Sequence, residues 1–226
     1  MKSAPLPSNE EARLSKLRSY DILDTLDELG MTEDTLIVFA SDNGLALGSH
    51  GLLGKQNIYE HSVKVPLILS GPGIPKGEDR RQLCYMYDIH PTLIMLAGLN
   101  MPDTVQFWSL LPLLDDANAP HRPHLYFAFM DWQRAIRDER FKLIEYCVGD
   151  ARHTQLFDLH NDPHEAHNLA GQPEHRGKLR ELRDLLIAES QRLNDGAVPY
   201  EFSRKQGQQF WANYHRSTQS TKTSND

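Results

Sequence analysis

The amino-acid sequence predicts an α/β core that gives way to a small antiparallel sheet packed with a C-terminal helix. Three observations carry that prediction. An amphipathic helical period runs into an apolar, β-branched segment that stops at a Gly-rich loop. Four short aromatic or β-branched runs, separated by polar turns, follow in the second half. A last leucine-rich stretch repeats at helical spacing.

Taken in order, Leu14, Leu17, Leu23, Leu26 and Leu29, with Ile22 beside them, mark a helix over Glu11 to Leu29 that Gly30 stops. The run from Thr35 to Ser41 reads as a buried strand of a parallel sheet. The glycines at 44, 48, 51 and 54 then discourage any regular element and mark a structured loop. Lys64 to Ser70 is a second strand, which Pro66 pushes toward an edge, an end or a bulge. Tyr87 to Ala97 fits a helix with Asp88 as a cap and Pro91 in its first turn, closed by Gly98.

The Pro, Asp and Asn content between Pro112 and Pro123 places a change of organisation near residue 115. Residues 1–115 read as the partial α/β core and residues 116–212 as an α+β subdomain. In the latter, HLYFAFM, WQRAI, FKLIEYC and QLFDL are strands with sequential neighbours. A helix carrying Leu179, Leu182, Leu185 and Leu186 covers them. The tail from Asn213 to Asp226 has almost no apolar residue and reads as disordered.

Composition narrows the function. The 226 residues carry 24 Lys and Arg against 31 Asp and Glu, a net charge of −7, and no basic arm, which argues against a nucleic-acid partner. No apolar run is long enough for a membrane span, and the first residues lack the apolar centre of a signal peptide, so an intact chain of this sequence is expected to be soluble and cytoplasmic. Cys84 and Cys147 lack the spacing of a thiolate site and read as small buried side chains.

The chemistry gathers after the first strand. Asp42 and Asn43 set two hard oxygen donors at its carboxyl end, suited to Ca²⁺ or Mg²⁺, although D-N-G is also an ordinary Asx-turn. Lys55, in a G-K context, is a mobile point charge able to meet an anion, or simply a solvated loop lysine. His50 is either a donor or acid near neutral pH or a surface histidine. Tyr59 can anchor the local core, and Glu60 and His61 can hold the returning strand or Lys55.

These blocks are specific in their order. The run TLIVFASDNGLALGSHGLLGKQNIYEHSVKVPLILSGPGI resembles the sulfatase family of the alkaline-phosphatase-like superfamily, in its S-D-N-G block, its G-K-x-x-x-Y-E segment and its V-P strand. YDIHPTLIMLAGLNMP, SLLPLL, RFKLI and LFDLHNDPHEAHNLA continue the likeness through the family's C-terminal part. The resemblance implies hydrolysis of an organic sulfate ester, with Asp42 and Asn43 as ligands of one divalent metal, Ca²⁺ in preference to Mg²⁺ or Mn²⁺. It implies Lys55 as a catalytic contact to a sulfate oxygen and His50 as a contact at the substrate rim. Asp162 and Glu165 read as turn and helix caps outside the site.

The family's adjacent Asp ligands and its C-x-P-x-R segment, whose Cys becomes the formylglycine nucleophile, have no counterpart in this sequence. Two alternatives therefore stand beside sulfate-ester hydrolysis. One is a phosphoester or phosphonate-ester hydrolase on the same fold. The other is a noncatalytic binding or assembly protein that forms a homo-oligomer or joins an N-terminal partner.

Overall fold

The computed structural model describes residues 21–148 and 151–195. The first half of the predicted N-terminal helix and the tail from Asn213 lie outside the described residues. In chain order the elements of the first part are α1 (residues 21–28), β1 (Ile37–Ala40), β2 (Ala46–Leu47), β3 (Leu53–Gly54), α2 (Glu60–Val63) and β4 (Leu67–Ser70). Then follow α3 (Ile89–Leu96), α4 (Leu111–Asp115), β5 (Leu125–Phe129), β6 (Gln133–Arg137), β7 (Phe141–Val148), β8 (Ala151–Asp158) and α5 (Arg176–Arg192). Residues 21–40 and 67–79 make one compact unit, and residues 41–66 and 80–195 a second.

In the first unit α1 ends at Gly30, as the sequence predicts. Gly30 has φ 64°, its N–H donates to Asp27 O at 2.9 Å, and the Met31 N–H reaches back to Leu26 O at 2.8 Å. Such a closure needs a left-handed residue, which glycine supplies without a Cβ clash. The expectation of a parallel sheet is corrected: β1 and β4 run antiparallel, with Ile37 opposite Ser70 and Ala40 opposite Leu67. Residues 41–66 hold two short strands, a 3-10 turn and one turn of α-helix rather than a crossover helix, so the chain comes back in the opposite sense.

The expectation of a buried first strand is corrected as well. Phe39 and Ile68 lie opposite each other and are 58% and 57% exposed. Among the described residues β4 is the only ladder partner of β1, and a two-stranded ribbon leaves one face open. Pro66 immediately precedes β4, where its missing N–H costs no ladder bond. Gly71 allows the turn after β4 to pass over the chain before β1, since a Cβ there would lie 2.5 Å from Thr35 O.

The second unit is built on a four-stranded antiparallel sheet with neighbours in sequence order, β5 to β8. Its alternation divides the residues into two apolar faces. Tyr126, Ile136, Leu143 and Leu156 pack on Leu182 and Leu186 of α5. Ala135, Ile144 and Phe157, with Phe127 beside them, pack instead on Ile58 and Tyr59. The C-terminal helix thus covers one face, as expected, while the Gly-rich loop and α2 supply the second cover. Asp88, expected as a cap, is fully buried: it accepts from the Tyr85 and Trp108 amides at 2.8 and 2.9 Å and pairs with Arg122 at 2.6 Å. It ties α3 to the start of β5.

Candidate functional site

The loop from Ser41 to Tyr59 belongs to the second unit and begins at the end of β1. Ser41 Oγ donates to Asn43 O at 2.8 Å, which turns the chain sharply after the strand. Gly44 then runs against α2: its N–H donates to Ser62 O at 2.9 Å, and a Cβ would sit 2.1 Å from His61 O. Only glycine permits that approach, and it fixes where Asp42 and Asn43 emerge.

Asp42 and Lys55 come together. Lys55 Nζ is 4.0 Å from Asp42 Oδ2, with side chains 53% and 77% exposed respectively. Their attraction is that of a solvated pair, screened by water and salt. A ligand anion can reach Lys55 without first breaking a buried contact. Asn43 is half-buried beside Asp42.

His50 lies elsewhere. It adopts a left-handed backbone, φ 54°, its ring stacks on Tyr59 with centroids 3.9 Å apart, and Nε2 is 3.1 Å from His164 O, so the proton of that bond sits on Nε2. It borders an open pocket of about 400 Å³ that Tyr59, Gln56, Gln133, Tyr146, His153 and Gln155 also line. Tyr59 OH donates to Gln155 Oε1 at 2.8 Å, and the buried Gln133 Oε1 has no hydrogen-bond partner among the described residues. Burial, and then the neighbouring Tyr59 hydroxyl, push the Tyr146 phenol up, so it remains a neutral donor. The His61 imidazole, beside these rings, is pushed below its ordinary value, first by burial and then by His50 and Lys142.

Residues outside the sequence-predicted site hold this loop. Lys142, with no exposed side-chain surface, contacts Glu60 Oε1 at 3.0 Å and Glu165 Oε1 at 2.9 Å. Arg137, the cross-strand partner of Lys142, contacts Glu60 Oε2 at 2.7 Å. Two cations opposite each other in an antiparallel pair repel, and the Glu60 carboxylate between them removes that conflict. Burial pushes the Glu60 carboxyl up, but Lys142 and Arg137 outweigh it and hold the group below its ordinary value. For Glu165 burial wins over Lys142 and the carboxyl stands above its ordinary value.

Asp162 caps the turn as the sequence suggests, accepting from the Ala166 and His167 amides at 3.1 and 2.8 Å. Glu165, expected as a cap, instead accepts from the Glu60 amide at 2.6 Å, across 105 residues of chain. Asn168 of the same motif secures the edge of β8, accepting from the Leu156 amide at 3.0 Å and donating to Thr154 O at 3.0 Å. Neither cysteine offers a nucleophile: both thiols are pushed up, first by burial, and Cys147 is buried.

The residues expected to hold a metal fit one only as part of a larger set. Asp42 and Asn43 supply two hard oxygens, whereas Ca²⁺ takes about six to eight. Among the described residues no cluster of three or more His, Cys, Asp or Glu is able to hold a metal. No helix among them is long and apolar enough to cross a membrane.

An exposed lysine beside hard oxygen donors, on an α/β scaffold followed by this sheet and helix, is the arrangement of the alkaline-phosphatase-like class. Residues 48–192 match the family model described as N-sulphoglucosamine sulphohydrolase, C-terminal. The chain belongs to the sulfatase family and corresponds to its C-terminal part. It is similar to choline-sulfatase of Rhizobium meliloti, with 36% identity over 74% of this chain and 34% of that protein. A solved protein in complex with its substrate D-glucosamine-2-N,6-O-disulfate superimposes with a TM-score of 0.72 and 30% identity, over 77% of this chain and 38% of that one. The phosphonate monoester hydrolase of Silicibacter pomeroyi does so with a TM-score of 0.68 and 27% identity, over 76% and 38%. The chain spans about a third of the length of the curated relatives it matches.

Proposed function

We propose that this chain carries the anion-recognition part of a sulfatase acting on an organic sulfate ester. The observation that supports this best is the exposed Lys55 ammonium 4.0 Å from Asp42, on the loop that also bears Asn43. Lys55 neutralises charge on a sulfuryl oxygen, where a preorganised cation is most effective as negative charge grows. Asp42 and Asn43 hold a divalent cation, Ca²⁺ by the hardness of their oxygens, which when bound would polarise a sulfuryl oxygen as a Lewis acid. In this reading residues 1–115 are part of the α/β core and residues 116–212 its C-terminal subdomain.

The pocket beside His50 takes the organic part of the ester. Gln56 follows Lys55 in sequence and lines that pocket, whose other residues bring aromatic rings, imidazoles, carboxamides and the aliphatic Leu52, Val148 and Ala151, with no carboxylate or ammonium among them. Such a lining suits a neutral, hydroxyl-bearing ligand. His50 serves as the rim contact through its ring, since Nε2 is engaged by His164 O.

Titration of the chain with phenyl sulfate in the presence of Ca²⁺ tests this reading, with Lys55→Ala expected to weaken binding at least tenfold. Equal affinity in parent and variant would sink it. A second reading, phosphonate-ester hydrolysis, is favoured by the likeness to the phosphonate monoester hydrolase. Tighter binding of phenyl phosphonate than of phenyl sulfate would move the conclusion there.

A further inference from the structure

The turn from Asp162 to Glu165 meets the anion-binding loop at two points. His164 O faces His50 Nε2 at 3.1 Å, and Glu165 Oε2 accepts from the Glu60 amide at 2.6 Å. Glu165 does so from a left-handed backbone, φ 56°, uncommon for a residue with a Cβ and sustained only where its surroundings demand it. From Glu60 a chain of short-range bonds leads back to Lys55: the Tyr59 N–H donates to Asn57 Oδ1 at 3.2 Å, and the Asn57 N–H donates to Lys55 O at 2.9 Å. Asn57 and Tyr59 are both buried, so this chain lies along a packed segment rather than a loose one.

Resting on the sulfatase reading of Lys55, we propose that Glu165 and Lys142 are positioning residues for the Lys55 ammonium, setting the affinity of the loop for the sulfuryl group without touching it. The arrangement suits that role better than a purely structural one. A buried ion cluster is a poor source of stability compared with apolar side chains of the same volume, so its value lies in fixing one geometry. Lys142 bridges two carboxylates that arrive from sequence positions 60 and 165, and the sheet strand beneath holds it rigid.

The test is a double-mutant cycle on phenyl sulfate affinity, using Lys55→Ala, Glu165→Asp and their combination, with near-ultraviolet circular dichroism on each protein. Glu165→Asp keeps the charge and withdraws the carboxylate from the Glu60 amide. Expected are an affinity loss of about tenfold for Glu165→Asp and no further loss when it is added to Lys55→Ala, because Glu165 acts through Lys55. Unchanged affinity in a folded Glu165→Asp protein, or losses that simply multiply, would overturn the positioning role and leave the Lys55 reading intact. If Lys55→Ala itself binds phenyl sulfate as well as the parent, both fall. Should Glu165→Asp not fold, Lys142→Arg takes its place in the cycle: it preserves the charge and alters the reach, and the same two outcomes decide.

Discussion

Lys55 and Glu60, five residues apart in sequence, belong to an ion pair and to a four-residue ion cluster that live in opposite environments. Asp42 and Lys55 are mostly exposed and 4.0 Å apart at closest approach, whereas Lys142 and Glu165 are closed away from water, Glu60 and Arg137 are largely so, and their contacts are 2.7 to 3.0 Å. A group that must accept a ligand has to remain solvated and weakly held, since any tight partner competes with the ligand. A group that fixes a loop must be desolvated and fully paired. Under the proposed function the contrast gives binding to the first and holding to the second, and it orders the expected effects of mutation.

The largest effect is expected at the closed end. Lys142→Met removes the bridge and leaves Glu60 and Glu165 facing each other under the loop, with Arg137 as the remaining cation. Breaking a buried pair from one side costs about 3–5 kcal/mol. Urea unfolding followed by circular dichroism checks it, and a loss under about 1 kcal/mol would mean that water reaches the cluster. The opposite face of the same sheet supplies the control. Leu186→Ala empties a site with no exposed surface and is expected to cost about 2–5 kcal/mol, while leaving phenyl sulfate affinity within about twofold of the parent. If affinity falls in step with stability for both variants, the two sheet faces are not distinct in function.

Sequence reasoning named Asp42 and Lys55 as candidates and Glu60 as a holder of the returning strand or of Lys55, but not the buried partners of Glu60, for a physical reason. Local chemistry identifies Asp42, Asn43 and Lys55 because a hard-ligand pair after a strand and a lysine after glycines are visible within fourteen residues. The strands β5 to β8 and α5 were equally legible, since alternation and helical period report which way side chains point. Neither signal reports partners. Glu60 lies 82 residues from Lys142 and 105 from Glu165, and only the fold brings them together. The direction of β1 against β4 was hidden similarly, because an apolar run reads the same for parallel and antiparallel neighbours. His50 was named as a candidate without its setting: G-S-H-G carries no sign that the ring would stack on Tyr59 and turn toward His164.

A smaller effect separates the carboxylates by pH. Glu60 is held below its ordinary value, so it adds stability that is present above that value and lost as pH falls through the folded one. Glu165 stands above its ordinary value, so its protonation on acidification favours the folded state and opposes the loss at Glu60. Asp158, whose Arg140 hydrogen bonds bring it down to about 2 from 3.8, adds stability that is complete above pH 3.8 and disappears toward pH 2. Arg140→Ala is therefore expected to flatten the stability profile between pH 4 and pH 2, read as urea midpoints across that interval. An unchanged slope would mean that Asp158 draws its low value from the Asn161 and His160 amides, the lesser contributors beside Arg140.

The smallest effect on stability is the sharpest test of the contrast. Asp42→Asn removes a carboxylate that is 77% exposed and 4.0 Å from its cation, so the pair contributes about 0–1 kcal/mol, and salt screens much of that. The urea midpoint should barely move. Ca²⁺ affinity, in contrast, should drop at least tenfold if the proposed site holds the ion, because a carboxylate is replaced by a carboxamide where only Asn43 stands beside it among the proposed ligands. Isothermal titration with Ca²⁺ measures that directly, without any turnover. Lys55 provides the counterpart: freed from its neighbour's charge in Asp42→Asn, the ammonium should bind phenyl sulfate no more weakly in Ca²⁺-free buffer than in the parent. A large stability loss in Asp42→Asn, or unaltered Ca²⁺ affinity, would show that the exposed pair holds the loop rather than the ligand, and the division of labour between the pair and the cluster would be reversed.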